Sequence, residues 1–401
     1  MTNYDGLYNK DHYEKILYQN HFSEKKLNFR IIENGTILPH KHLIVNGQWT
    51  WGFGGIVDSK GEYIKSSFVN SGAGAAYTPE EQILYSPATV IYLTMYFGVW
   101  GHCITDEIRR VWFLKTDIFK NYFSSCPIVI NPWNGGEGLI PNFIKLLEIL
   151  EVDLNKIILI NKPMKFQNII LPDESFYTED TTLFTKEYFE TIEQVRNYAQ
   201  KNFTELPHKK FFLRYDYDMN FGEERFAEYF SQKGYEIIKP ENFSLDDQLN
   251  IFANCEKLAS TEGSCSHNSM FLKDNSEVLL IPRSSTRLTI YQMALNQLHN
   301  QNVFYIDSAI SFFATRDHGP FCYLISPQLK KFFGENESWT TDDFEIFLQY
   351  ANFSLEKNFK PLSTAKEYYH DILKLFMDEL IQHKEIVEKY KSVVEKLQEE
   401  I

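Results

Sequence analysis

Cysteine is scarce in this 401-residue sequence, and positive charge is in deficit. No two of its five cysteines have the Cys-x-x-Cys spacing of zinc and redox motifs, so we expect free thiols in a reducing compartment. Acidic residues outnumber basic ones by 54 to 40, for a formal net charge of −14. This excess disfavours binding to nucleic-acid phosphates, and we expect no nucleic-acid partner. The cysteines are Cys103, Cys126, Cys255, Cys265 and Cys322.

Long apolar runs and a targeting signal are also missing. No stretch approaches the roughly 20 apolar residues of a membrane span. The polar start, MTNYDGLYNKDHYEK, lacks the basic and apolar regions of a signal peptide. We therefore expect a cytoplasmic protein, and peripheral association with the inner face of the plasma membrane stays an open alternative. With 43% hydrophobic residues, the chain can bury the cores of two or three domains.

The glycine motifs that bind dinucleotides or ATP are incomplete. Gly52-x-Gly54 and Gly72-x-Gly74 lack a third glycine and do not stand between a strand and a helix. A lysine loop of the P-loop type is absent as well. These absences weigh against dinucleotide-dependent enzymes, kinases and ATPases.

The sequence does contain a repeated alternation of apolar and amphipathic segments. Apolar runs such as residues 127–130 and 209–213 predict strands, and segments such as 140–151 and 222–233 predict helices. Strands that alternate with helices indicate a parallel sheet covered on both faces. Because the alternation restarts after residue 205, we predict an α/β fold with two Rossmann-like domains facing a cleft. Ligands in such folds bind at the carboxyl ends of the strands.

Changes in the pattern divide the chain into five predicted segments. The hinge between the two α/β halves is placed within residues 204–210. The segments are a small β-rich N-terminal preface at 1–84, an N-terminal Rossmann-like domain at 85–205, a C-terminal Rossmann-like domain at 206–310, a variable packing segment at 311–363, and an amphipathic helix at 364–401.

The terminal segment 364–401 has the pattern of an amphipathic helix. Thr364 and Glu367 have the spacing of an N-terminal capping box. Apolar positions then recur every three or four residues with Lys and Glu between them. This predicts either a short coiled coil that forms a homo-oligomer or a helix that packs back on the body, and both alternatives stay open. The positions are Leu380, His383, Val387, Tyr390, Val394, Leu397 and Ile401.

One motif with chemical content is GHCITDEIRRVW, which starts at Gly101. If this stretch is helical, His102, Asp106 and Arg110 recur at i, i+4 and i+8 and line one face. A solvated helix face explains single charges, but a base, an acid and a guanidinium beside a strand end suit acid–base chemistry. We therefore treat the three residues as a candidate site.

A second motif is STEGSCSHNSMF, which runs from Ser260 and predicts a strand, a small-residue turn and a helix. Backbone N–H groups at such a turn suit a diphosphate. Glu262 would accept hydrogen bonds from ribose hydroxyls, and His267 would donate to a phosphate oxygen. An ordinary capped helix in a tight turn explains the same pattern.

A third, weaker motif is Asp216-Tyr-Asp218, which follows a predicted strand. An Asp-x-Asp pair in this place is how many sugar transferases hold a divalent cation. Arg214, at the end of the same strand, would hold a diphosphate without a metal. The metal site is kept as the less favoured alternative.

The first two motifs resemble glycosyltransferase family 61, which includes bacterial capsular polysaccharide and lipopolysaccharide glycosyltransferases. Its Gly-His-x-x-x-Asp/Glu-x-x-x-Arg-x-Trp block reads GHCITDEIRRVW here. Its second block reads FFLRYDYD, GYEIIKPENFSLDDQLNIFANC and LASTEGSCSHNSMFL, in that order. The similarity covers roughly residues 45–310. Two departures are Glu262, where many relatives have His, and Arg109, at a position that is often Pro.

The resemblance implies a GT-B architecture and an inverting reaction without a required metal or other cofactor. The donor is a nucleotide sugar, and the acceptor is a cell-surface polysaccharide, a lipopolysaccharide or a lipid-linked glycan. On this basis 85–205 is the acceptor side and 206–310 binds the donor. Asp106 is the expected base, with His102 as the second choice. The residues expected at the nucleotide and diphosphate are Arg110, Arg214, Glu262, Gly263, Ser264, Cys265, Ser266, His267 and Asn268.

Two other functions stay open at this point. One is a metal-dependent glycosyltransferase that uses Asp216 and Asp218. The other is a non-catalytic scaffold that binds sugar nucleotides or glycans and assembles through its terminal helix.

Overall fold

The computed structural model has two compact units. The N-terminal unit comprises residues 20–203 and 244–253, and the C-terminal unit comprises residues 1–19, 204–243 and 254–401. The described residues are 2–8, 10–41, 44–45, 48–49, 52–68, 74–136, 138–214, 220–283, 288–310, 319–358 and 366–400.

The strands in chain order are β1 (Thr2–Gly6), β2 (Phe22–Ser23), β3 (Phe29–Glu33), β4 (Thr36–Lys41), β5 (Ile44–Val45), β6 (Gln48–Trp49), β7 (Phe53–Val57), β8 (Tyr63–Ile64), β9 (Leu84–Tyr96), β10 (Ile128–Pro132), β11 (Ile157–Leu159), β12 (Met164–Pro172), β13 (Phe176–Thr178), β14 (Thr182–Thr185), β15 (Lys210–Leu213), β16 (Asn220–Phe221), β17 (Glu236–Ile238), β18 (Lys257–Thr261), β19 (Glu277–Ile281), β20 (Asn302–Ile306), β21 (Ala309–Ile310) and β22 (Phe321–Tyr323).

The α-helices are α1 (Lys10–Leu17), α2 (Trp100–Cys103), α3 (Pro141–Ile149), α4 (Lys186–Lys201), α5 (Glu223–Gln232), α6 (Leu245–Asn254), α7 (Ser264–His267), α8 (Ile290–Leu295), α9 (Pro327–Phe332), α10 (Thr341–Glu356), α11 (Lys366–Leu380), α12 (Lys384–Lys389) and α13 (Lys391–Glu400). Among the described residues, no helix is long and apolar enough to cross a membrane.

The N-terminal unit is built on an eight-stranded mixed sheet. Its parallel part has the order β11-β10-β9-β12. The strands β3 and β4 both pair antiparallel with β12, and β7 and β8 continue the sheet beyond β4. The apolar side chains between these strands form one core: Ile32, Ile37, Ile56, Val90, Tyr92, Val129, Ile160, Phe166, Ile169 and Leu171.

The C-terminal unit contains a six-stranded sheet in the order β1-β20-β19-β18-β15-β17, with every neighbouring pair parallel. Helices α5, α6, α7 and α8 lie between its successive strands in the chain. Parallel strands need such crossovers, because a tight turn can join only antiparallel neighbours. The predicted mixed α/β character is therefore confirmed for both units, and the GT-B arrangement stays a prediction.

The compact units divide the chain differently from the predicted domains. Much of the β-rich preface belongs to the same sheet as the first α/β half, whereas β1 pairs with β20 at the edge of the other sheet. The helix α6 was expected in the second half, but residues 244–253 belong to the N-terminal unit. There Asp246 accepts a hydrogen bond from Tyr198 Oη (2.7 Å) and pairs with Lys145 (3.2 Å).

The described part of the terminal segment, residues 366–400, forms three helices, α11, α12 and α13, instead of one continuous helix. Thr364 of the predicted capping box lies outside the described residues. Interruptions of the helix at Gln382 and Tyr390 let the apolar positions turn toward α10. Leu380, Val394 and Leu397 are buried in one cluster with Phe344 and Phe347, and Val387 and Tyr390 pack against it. The apolar face of the terminal segment therefore packs on its own chain, and a coiled coil between chains stays an untested alternative.

Candidate active site

The strand order of the N-terminal unit places the first motif beside the switch point of its sheet. Counted along the chain, the parallel strands β9, β10, β11 and β12 lie in the order 3-2-1-4. The direction of connection reverses between β9 and β12, and crevices form at the carboxyl ends of strands on either side of such a switch. The residues that leave β9 at this edge run directly into the Gly101 motif.

His102 and Asp106 contact each other, although the stretch is not one helix. Helix α2 ends at Cys103, a turn follows, and a 3-10 helix spans Val111–Lys115. His102 Nδ1 lies 2.8 Å from Asp106 Oδ2. The Asp106 side chain is 1% exposed and that of His102 is 24% exposed, so solvent reaches the imidazole rather than the carboxylate.

The protonation of His102 is set by this pair. A carboxylate only accepts, so Nδ1 carries the proton and Nε2 is the nitrogen that can accept one. Burial lowers the pKa of His102, but the hydrogen bond and charge of Asp106 outweigh it, and the net pKa is raised above 6.5. Phe97 stacks on the imidazole with ring centroids 4.9 Å apart, which fixes the plane of the ring.

Glu107 is a buried carboxyl group next to this pair. It accepts a hydrogen bond of 2.6 Å from the backbone N–H of Phe97. Burial raises the pKa of Glu107 to about 8, so the group is largely neutral at pH 7. Neither Glu107 nor Phe97 is a candidate from the sequence alone, because their contacts depend on packing that residue spacing does not show.

Arg110 contacts protein groups on several sides. Its guanidinium donates to the carbonyl oxygens of Pro172 (2.9 Å), Leu93 (3.3 Å) and Ser66, and it pairs with Glu174 (2.9 Å). Arg110 is fully buried, and burial lowers its pKa to about 10. These contacts tie the ends of β9 and β12 together. The expected role of Arg110 at the donor diphosphate stays a prediction.

Arg109 is a second buried guanidinium in this unit. It pairs with the same Glu174 (2.9 Å) and donates to the carbonyl oxygen of Phe68. Glu174 therefore pairs with both arginines and offsets one of their two positive charges, and it follows the carboxyl end of β12. Glu174 lies more than 60 residues from Arg109 in the sequence, so no local pattern indicates this contact.

The C-terminal unit has a switch point of its own. Counted from β15, its strands lie in the order 2-1-3-4-5, and the direction of connection reverses between β15 and β18. This pattern also places a ligand crevice at the carboxyl ends of the two strands. Arg214 follows β15 directly, and Glu262 and Gly263 follow β18, so the topology brings the predicted donor residues to one edge.

Arg214 is buried and paired with two acidic side chains. Its Nη2 lies 3.1 Å from Glu224 and its Nε lies 3.5 Å from Glu223. Its backbone N–H donates to the carbonyl of Ile238, which continues the pairing of β15 with β17. The guanidinium is thus oriented at the end of the strand. Asp216 and Asp218 lie outside the described residues.

The turn after β18 is held from within. Gly263 has φ +137°, where a side chain is strained, and its backbone N–H donates to Ser266 Oγ at 3.0 Å. His267 Nδ1 lies 2.8 Å from the amide oxygen of Gln292, which also accepts from Ser266 Oγ (2.7 Å). Glu262 is buried and accepts from the N–H of Thr289 at 2.8 Å.

The rest of this turn forms a very short helix. Ser264 begins α7, which is only four residues long. Asn268 donates from its side chain to the carbonyl of Cys265 at 3.1 Å. Burial raises the pKa of Cys265 to about 12, so the thiol stays protonated. The expected phosphate cradle along this turn stays a prediction.

Comparison with known proteins bears on the segment that contains both motifs. Residues 100–279 match the sequence model of the family described as Glycosyltransferase 61. A search of curated proteins found none that matches the chain. The matched segment contains the His102–Asp106 pair and the Arg214 and Gly263 region. Over residues 100–279 the chain is therefore similar to Glycosyltransferase 61, and this similarity supports a glycosyltransferase.

Proposed function

We propose that the protein is an inverting glycosyltransferase that uses a nucleotide sugar and the His102 imidazole as its general base. The observation that carries this proposal is the His102–Asp106 pair, at 2.8 Å, beside the switch point of the sheet in the matched segment. The proposal assigns the two residues in the reverse order from the sequence expectation. Asp106 is too buried to reach an acceptor, so it is the positioning residue for His102.

The proposed reaction is one displacement. The acceptor hydroxyl oxygen attacks the anomeric carbon of the sugar while the bond from that carbon to the diphosphate oxygen breaks. The hydroxyl proton passes to His102 Nε2, and the electron pair leaves with the nucleoside diphosphate. A positioned base of this kind contributes a rate factor of about 10²–10⁴. Asp106 keeps Nδ1 protonated and stabilises the imidazolium as it forms.

In the C-terminal unit, the proposal assigns the donor to the edge formed by β15 and β18. Arg214 is placed to bind the leaving diphosphate, which gains negative charge as the bond breaks. His267 and the backbone N–H groups of Ser264 and Cys265 are further candidates for the same anion. No metal is required in this route, because cationic side chains would provide the counter-charge.

The proposed acceptor class is a bacterial cell-surface polysaccharide, a lipopolysaccharide or a lipid-linked glycan, and the proposed location is cytoplasmic. These assignments rest on the similarity to the family rather than on a described contact. The acceptor specificity is therefore tested by activity on defined glycans.

A thermal-shift screen against UDP-, GDP- and dTDP-sugars tests the proposal. A ligand at 100 times its dissociation constant stabilises the folded state by about 2.7 kcal/mol. We expect one nucleotide class to raise the melting temperature. In a turnover assay with that donor, we expect transfer to persist in EDTA. Loss of transfer in EDTA with recovery on adding Mg²⁺ or Mn²⁺ would favour the route through Asp216 and Asp218. A nucleotide-dependent shift without any turnover would favour the scaffold.

A further inference from the structure

Arg283 lies against the turn at Gly263. It follows β19, and its guanidinium occupies the space where a side chain at Gly263 would begin. A Cβ atom built on Gly263 would overlap Nη2 and would lie 2.7 Å from Cζ of Arg283. A glycine at this position therefore lets a guanidinium approach the main chain of the turn.

The guanidinium of Arg283 also lies over an aromatic ring. Its Cζ is 5.5 Å from the ring centroid of Phe321 in β22. A guanidinium near a ring face is stabilised by a cation–π interaction, and its planar group of N–H donors can bind phosphate oxygens in pairs. Phe321 is fully buried, so the ring is a fixed support.

The sheet order places Arg283 and Arg214 on either side of one strand end. β18 pairs with β15 on one side and with β19 on the other, and all three strands are parallel. Arg214 leaves β15 and Arg283 leaves β19, so the two residues flank the carboxyl end of β18, where Gly263 lies. Arg214 pairs with Glu223 and Glu224 beside this strand end.

We infer that Arg283 is a second diphosphate-binding residue and that a side chain at Gly263, besides the strain of its positive φ, would displace Arg283. This inference rests on the proposed nucleotide-sugar donor. Arg283 lies outside the sequence motifs, and in this inference it binds the negatively charged leaving group. The positive charge of Arg283 also acts on the neighbouring Cys265, where it partly opposes the effect of burial on the thiol.

The test compares ligands with and without the diphosphate. Calorimetry measures the affinity of the wild-type protein, Arg283→Met and Arg283→Lys for UDP, GDP and dTDP. Ligand-observed NMR measures the affinity for uridine, guanosine and thymidine. For the diphosphate that binds, we expect about 10- to 100-fold weaker binding in Arg283→Met, because a charge-assisted hydrogen bond is lost. Binding of the matching nucleoside should change less than twofold, which a general structural defect would not produce.

A second variant tests the link to Gly263. Gly263→Ala should weaken binding of the diphosphate to a similar degree, because the new Cβ displaces Arg283. Added to Arg283→Met, it should weaken the diphosphate by less than twofold more. If the wild-type protein binds none of the three diphosphates, the proposed donor is wrong and the inference fails with it. If the wild-type protein binds one and Arg283→Met binds it equally well, only the inference is overturned.

Discussion

At the scale of single residues, the spacing of the Gly101 motif predicted the contact between His102 and Asp106. The contact is present, but the expected continuous helix is not. Residues four apart meet in a helix, but here a turn after Cys103 brings His102 to Asp106. Sequence spacing did not show which member of the pair is exposed. Burial is set by strands and loops far along the chain, and it favours His102 as the base.

The assignment of the base predicts distinct pH profiles. The value of kcat/KM should rise with pH through the pKa of His102, which lies above 6.5, because the base must be unprotonated. His102→Gln should lower the rate by about 10²–10⁴. Asp106→Asn should lower the rate and move the inflection to lower pH, because Asp106 is what raises the pKa. Full activity in His102→Gln with none in Asp106→Asn would identify Asp106 as the base.

Glu107 predicts a pH-dependent loss of stability. Its ordinary pKa is 4.5 and its folded-state pKa is about 8. Below pH 4.5 the group is protonated in both states, and between 4.5 and 8 only the unfolded chain releases the proton. Its contribution to the free energy of unfolding should therefore fall by about 1.4 kcal/mol per pH unit in that window.

Denaturant unfolding at pH 5.5 and 7.5 measures this effect. Glu107→Gln should reduce the difference between the two pH values by about 2 kcal/mol. Asp307→Asn in the C-terminal unit should reduce the same difference by a similar amount, because burial raises the pKa of Asp307 to about 7. An unchanged pH difference in Glu107→Gln would show that Glu107 is ionised in the folded protein.

Arg110 predicts a stability defect that is separate from donor binding. Arg110→Met removes a buried guanidinium and leaves Glu174 and three carbonyl groups without it. The N-terminal unit should lose roughly 3–5 kcal/mol of stability, as broken buried ion pairs do. Thermal unfolding and calorimetry with nucleotides separate the two roles. Unchanged stability together with lost nucleotide binding would instead support the predicted role of Arg110 at the donor diphosphate.

At the scale of elements, the strand predicted at 209–213 was close to the observed β15 (Lys210–Leu213), and the terminal segment was not predicted as closely. Strands such as β18 and β19 are short buried apolar runs between turns, which a local pattern identifies well. The pairing of β1 with β20 joins residues about 300 positions apart, and no local pattern reports it. The 3–4 spacing of the tail was read correctly as one apolar face, but its breaks and its partner α10 come from the tertiary fold.

The packing of the tail predicts a contrast between two leucines of α11. Leu380 is 0% exposed and Leu375 is 67% exposed. Leu380→Ala should cost about 2–5 kcal/mol of stability because it leaves a cavity, and Leu375→Ala should cost within about 0.5 kcal/mol. Chemical denaturation measures both. If the apolar face of the terminal segment instead pairs two chains, Leu380→Ala would give a smaller species in sedimentation and leave the unfolding of the monomer unchanged.

At the scale of the whole molecule, the sequence predicted two α/β halves but not the order of their strands. The orders 3-2-1-4 and 2-1-3-4-5 give each sheet a switch point, where open α/β folds commonly bind ligands, and each switch point lies beside a motif found in the sequence. Strand order depends on which crossover packs on which face, and this is fixed by long-range contacts. The same contacts assign residues 1–19 and 244–253 to units that chain position does not suggest.

The most direct measurement of the central claim is proton NMR of the protein with a panel of nucleotide sugars and glycan acceptors. The account predicts that one donor is consumed, that a nucleoside diphosphate is released, and that the product has the opposite anomeric configuration from the donor. It also predicts that His102→Gln slows this conversion by about 10²–10⁴. A product with retained configuration, or an undiminished rate in His102→Gln, would contradict the account.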